Sequence, residues 1–101
     1  MTELLPVSVT RLHLASYQND FETVKHCIEQ GANINIRTSK GTTPLMFATQ
    51  CEFSAIEIVK LLIKKGATIN TSNKQGYTPL LYAATRCSDI VELLLDKKGS
   101  N

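Results

Sequence analysis

Cysteine is scarce in this sequence and badly placed for either of its structural uses. Cys27, Cys51 and Cys87 are odd in number, widely spaced and outside any C-x-x-C pair, which argues against both a disulfide framework and a zinc site. Long apolar stretches are missing too. The longest runs are three or four residues, as at Leu61-Leu62-Ile63, against the roughly 18 needed to cross a bilayer, so no membrane partner is expected. The opening Met1-Thr2-Glu3-Leu4-Leu5-Pro6 has neither the basic stretch nor the apolar core of a secretory signal. A cytoplasmic chain is therefore expected, with nuclear entry left open, and the sequon Asn70-Thr71-Ser72 is read as accidental. Charge of one sign is also in short supply. Eleven Lys and Arg face nine Asp and Glu for a net +2, with no concentrated basic stripe, and this speaks against a nucleic-acid partner.

What is present suits one folded domain. Apolar residues make up 43% of the chain and charged residues 20%, close to globular averages and far from disordered or fibrous compositions. A chain of this size removes about 65% of its unfolded surface from water, roughly 10,000 Å².

The strongest internal signal is repetition. Thr43-Pro44-Leu45-Met46-Phe47-Ala48 returns as Thr78-Pro79-Leu80-Leu81-Tyr82-Ala83, and more faintly as Thr10-Arg11-Leu12-His13-Leu14-Ala15, with offsets of 33 and 35 residues. Gly31-Ala32-Asn33-Ile34-Asn35 returns as Gly66-Ala67-Thr68-Ile69-Asn70, and Gly41 and Gly76 each follow the first glycine of a block by ten residues. Two landmarks thus keep one register. Thr43 and Thr78 are natural N-caps, and Pro44 and Pro79 fall at the first helical position, where a missing N–H costs nothing. Ala48 and Ala83 are small where two helices must approach closely. Second helices follow. Asn19 tolerates a left-handed turn and Asp20 can cap the first of them. Ser54-Ala55-Ile56-Glu57 reads as a capping box for the next, and Ser88 with Asp89 opens the third. Apolar residues then recur at helical spacing: Phe21, Val24, Cys27, Ile28; Val59, Leu62, Ile63; Val91, Leu94, Leu95. Gly31 and Gly66 fit left-handed C-caps, and the Ile-Asn segments with polar tips read as β-turn hairpins leading to the next Thr-Pro. One such unit cannot hide its apolar stripe alone, so the units must stack.

In its 33-residue period and its T-P-L-x-x-A motifs the chain resembles the ankyrin repeat, over about residues 8–101. The resemblance implies an all-α fold, an ankyrin-type α-solenoid of three stacked helix-turn-helix repeats joined by β-hairpin fingers. A single ankyrin repeat domain would occupy residues 1–101, with a leader at 1–7, repeat one at 8–40, repeat two at 41–75 and repeat three at 76–101. Residues around Cys51-Glu52-Phe53 lengthen the interhelical turn of repeat two, where insertions are tolerated. The signature histidine is kept as His13, expected to have a structural role, and is replaced by Met46 and Leu81. Fingertip acids are replaced by Thr38 and Asn73. Arg11, His13, Ser16 and Gln18 make repeat one polar enough to act as a solvent-facing cap. Gly99-Ser100-Asn101 looks like the opening of a further finger, and Leu81, Tyr82 and Leu93 do not resemble a cap. The expectation is a piece of a longer array, or self-association through the uncapped C-terminal repeat.

Chemistry-bearing residues do not converge. His26 and Cys27 are helix neighbours pointing about 100° apart, so they make no nucleophile and base pair; Cys27 reads as core and His26 as a solvated residue. Cys51 and Cys87 lie at turns, with nothing to lower their pKa. Asp20, Glu22, Glu29, Glu52, Glu57, Asp89, Glu92 and Asp96 map to second helices or interhelical turns. No catalytic residue, metal ligand or cofactor site is assigned, and an enzyme is not expected. The resemblance implies protein–protein recognition on the concave side made by fingers and first helices. Its variable positions correspond here to Tyr17, Gln18, Ser39, Lys40, Thr42, Gln50, Cys51, Lys74, Gln75, Tyr77, Thr85 and Arg86, with Arg37 at the first fingertip. None is acidic, and an acidic partner segment with an aromatic or aliphatic anchor is expected. The alternatives are a structural spacer in a longer array, or the non-catalytic recognition part of a larger enzyme.

Overall fold

The computed structural model describes residues 9–50, 55–86 and 88–99; the side chains of residues 86, 88, 89 and 96–99 fall outside the description. Six helices follow in order: α1 (Arg11–Tyr17), α2 (Phe21–Glu29), α3 (Pro44–Ala48), α4 (Ile56–Lys64), α5 (Pro79–Arg86) and α6 (Ser88–Gly99). Each odd helix packs on its even partner, α1 packs on α3 and α3 on α5, while α2 packs on α4 and α4 on α6. Three hairpins therefore stack into two layers, one of first helices and one of second helices.

Local chemistry starts each first helix at the same place in its repeat. The hydroxyls of Thr10, Thr43 and Thr78 accept from the amides of His13, Met46 and Leu81 at 3.3, 3.3 and 3.2 Å. Such caps contribute about 1 kcal/mol each. Pro44 and Pro79 occupy the first turns as the sequence predicts. Asp20 caps α2, taking the Thr23 amide at 3.2 Å and the Thr23 hydroxyl at 2.7 Å. These two bonds, the hydroxyl first, hold the Asp20 carboxyl below its ordinary pKa. Helix α4 differs from expectation. It starts at Ile56 with Ala55 at the cap position and no side-chain cap bond, while Ser54 lies outside the described residues. Helix α6 opens at Ser88 itself.

The ends of α1, α2 and α4 share one device. Gly31 and Gly66 take φ of +90° and +102°, and Asn19 takes +59°. The residue after each left-handed one returns its N–H to the carbonyl five residues back: Asp20 to Ala15, Ala32 to Cys27 and Ala67 to Leu62, at 2.9, 3.0 and 2.9 Å. At the end of α1 this residue is Asp20, so one helix ends where the next is capped.

The core runs along the seam between the layers. Leu12, Ala15, Val24, Leu45, Ala48, Ile58, Val59, Leu62, Ala83, Ile90 and Leu94 are buried, and Cys27 lies among them as predicted. The polar cap expected on repeat one is only partly there. His13 and Ser16 are fully buried, Ser16 donating to the Leu12 carbonyl at 2.8 Å, so Arg11 and Gln18 remain outward beside an exposed Leu14. The opposite edge is apolar, as expected. Leu81 and Leu95 are about half exposed, and Ile69, Asn70, Thr78, Leu80 and Leu94 line an open hollow.

Candidate functional site

The fingers join one helix pair to the next, and they are turns rather than strands. The Thr38 amide donates to the Thr42 carbonyl at 3.0 Å and the Asn73 amide to the Tyr77 carbonyl at 2.9 Å. No strand forms among the described residues. The physical reason is competition from side chains. Thr38 Oγ1 takes the amides of Lys40 and Thr42, and Asn73 Oδ1 those of Gln75 and Tyr77, which leaves few backbone donors for a hairpin ladder.

Successive fingers are bonded to one another. The Lys74 amide donates to the Lys40 carbonyl at 2.9 Å. Gly41, buried at φ +80°, lies so close beneath the second finger that a Cβ there would meet Asn73 Cα and the Lys74 nitrogen at 3.3 Å. Asn35 reaches the next repeat twice, donating to the Gly66 carbonyl at 3.2 Å and accepting from the Thr68 amide at 2.8 Å. His13 ties α1 to the base of the first finger. The Thr10 amide donates to its Nδ1 at 3.0 Å, which makes that nitrogen an acceptor and places the ring proton on Nε2, within 2.9 Å of the Ile36 carbonyl. Burial pushes its pKa below the ordinary histidine value, outweighing the opposing backbone hydrogen bonds.

A hollow of about 260 Å³ opens between finger one, α3 and α5, lined by Val9, Thr38, Ser39, Lys40, Thr42, Phe47, Gln50, Gln75 and Tyr82. Two rings form its aromatic walls. Phe47 meets His13 and Tyr17 edge-on, with centroids 5.4 and 6.1 Å apart, and Tyr82 meets Tyr77 at 5.1 Å. Asn73 stands behind the hollow, 6% exposed. Its Nδ2 donates to the Tyr82 hydroxyl at 2.9 Å and to Thr42 Oγ1 at 3.5 Å.

Of the partner-binding candidates, Ser39, Lys40, Thr42, Gln50 and Gln75 come together here. Tyr17 and Tyr77 stand at its aromatic edges, each about half exposed. Lys74 is exposed on finger two, and Thr85 is exposed on α5 with its hydroxyl bonded back to the Tyr82 carbonyl. Three of the candidates have other surroundings than an open face. Arg37 is a tie between fingers, because its guanidinium donates to the Gly41 and Ser72 carbonyls and to the Thr71 hydroxyl. Thr42 is buried, with only 8% of its surface open. Gln18 lines a separate hollow with Arg11, Leu14 and Asp20 at the outer edge of repeat one. Cys51, Cys87 and the Arg86 side chain lie outside the described residues. Phe47, Tyr82 and Asn73 were not among the sequence candidates. Phe47 and Tyr82 hold the same place in their signatures, and that recurrence of an aromatic was the available signal.

Among the described residues no group of three or more His, Cys, Asp or Glu gathers to hold a metal, and no helix is long and apolar enough to cross a membrane. A family model described as ankyrin repeats, in three copies, matches residues 12–101. The chain belongs to the ankyrin-repeat family. Ankyrin repeats are generally protein–protein interaction modules. No curated protein matches the chain.

Proposed function

We propose that this chain binds an acidic segment of a partner protein along the concave face of its fingers and first helices. A face that carries bases and no acid supports the reading. Lys40 and Lys74 stand exposed on the fingers and no Asp or Glu falls on a finger or a first helix, whereas the second helices carry Glu22, Glu29, Glu57 and Glu92 mixed with exposed Lys25, Lys60 and Lys64. A one-signed face beside a layer of mixed charge steers a partner of complementary sign to that face. Tyr17 and Tyr77 offer the half-exposed rings that interface hot spots favour, and Arg86, in the last turn of α5, would extend the basic side.

The test is affinity capture from extract of the native cell, with bound proteins identified by mass spectrometry. Joint Lys40→Glu and Lys74→Glu, and separately joint Tyr77→Ala and Arg86→Ala, should abolish capture of the specific partner with the melting temperature nearly unchanged. Glu57→Lys on the opposite layer should leave it intact. Capture that survives both concave-face variants would overturn the assignment and favour a spacer whose bound surface lies elsewhere.

A further inference from the structure

Asn73 turns the Tyr82 hydroxyl proton away from itself, and at 3.5 Å it touches the Thr42 hydroxyl as well. Its Oδ1 receives backbone N–H groups from Gln75 and Tyr77 at 2.9 and 3.0 Å. Backbone N–H groups can only donate, so this atom must be the oxygen and Nδ2 must face Tyr82 and Thr42 as donor. Each hydroxyl oxygen already accepts from Asn73, and no described residue takes either hydroxyl proton. Both side chains line the hollow, and Lys40 lines it as well.

We propose that this hollow is a carboxylate-reading subsite, in which the Tyr82 and Thr42 hydroxyls donate to an Asp or Glu side chain of the partner, Lys40 supplies the opposing charge, and Phe47 packs against the aliphatic stem. The subsite rests on the concave-face reading above and narrows it. Fingertip lysines attract any acidic stretch, whereas this hollow selects one carboxylate by directed hydrogen bonds, which are stronger to a charged acceptor than to a neutral one. Asn73 acts as a positioning residue. An Asp in its place could not donate, so Tyr82 would turn its proton back toward residue 73 and away from the ligand.

Two fluorescein-labelled peptides test this, Gly-Glu-Glu-Leu-Glu-Glu-Gly and its counterpart with every Glu replaced by Gln, titrated by fluorescence anisotropy against the full chain. The readout is the ratio of the two affinities, which general loss of structure would not move selectively. Wild type should prefer the Glu peptide. Tyr82→Phe should lower that preference about tenfold, the loss expected for one hydrogen bond to a charged group. Asn73→Asp should lower it by a similar factor, and circular dichroism melts check that both variants fold. If Tyr82→Phe and Asn73→Asp keep the wild-type ratio while joint Lys40→Glu and Lys74→Glu abolishes it, the subsite is overturned and the concave-face function stands. If wild type shows no preference at all, the subsite is again overturned, and the capture experiment decides the broader reading independently.

Discussion

The segments Thr43–Ala48 and Thr78–Ala83 carry nearly the same residues and open their helices with the same hydroxyl cap, yet their burial diverges. Thr43 is 2% exposed, Leu45 1% and Met46 fully buried, whereas Leu81 is 51% exposed and Thr78 and Leu80 are half-buried. The finger residues divide in the same way. Asn35 clamps the following repeat, while Asn70, at the matching place, lines the open hollow of the last one. Local sequence starts the helix, and the next hairpin decides what that helix hides. The same four-residue cap therefore carries different stability in the two places.

Truncation should expose this contrast most sharply. Met46→Ala is expected to cost about 3 kcal/mol in urea unfolding, because it opens a cavity inside the stack, and Leu81→Ala, at the matching position, less than about 1 kcal/mol. Equal costs would mean that the C-terminal edge is covered. The finger glycines give the next largest difference. Gly41→Ala should cost about 2–3 kcal/mol, since its Cβ would press on the second finger's backbone as well as strain a positive φ. Gly76→Ala, with nothing within 4 Å of the added Cβ, should cost only the conformational strain of about 1–2 kcal/mol.

A third contrast depends on pH. His13 binds its proton less readily when folded than when unfolded, so the unfolded chain gains protons first as pH falls below about 6.5. Stability should therefore decline with acid from near neutrality down to the lowered pKa of the folded state, and level off below it. Urea melts at closely spaced pH values between 7.5 and 5 would show this decline, and His13→Gln should flatten it, whereas Met46 and Leu81 give the matching positions nothing to titrate. Asp20 acts in a separate window. Its depressed pKa adds stability that is lost only as pH falls below the ordinary carboxylate range. The smallest expected effect is in the caps. Thr43→Ala should cost about 1–2 kcal/mol inside the stack and Thr78→Ala about 0.5–1 kcal/mol at its edge, read by the same melts.

Much of this architecture was legible in the residues alone. Thr-Pro starts, the glycines at 31 and 66 and the left-handed Asn19 are local signals, and each needs only its near neighbours to act. The site was less legible, because its parts depend on contacts a full repeat away. Arg37 looks like a free fingertip cation until Thr71 and Ser72 are seen beside it. Thr42 looks like a surface polar residue until the second finger closes over it. Asn73 looks like a lost fingertip acid, and its part in orienting Tyr82 emerges only when two fingers and α5 are brought together.

Asn35 has one more consequence. By holding a carbonyl and an amide in the following repeat, it sets the pitch of the stack from finger to finger without reference to the path between α3 and α4. The spacing of successive layers is therefore dictated by this clamp and not by helix packing alone.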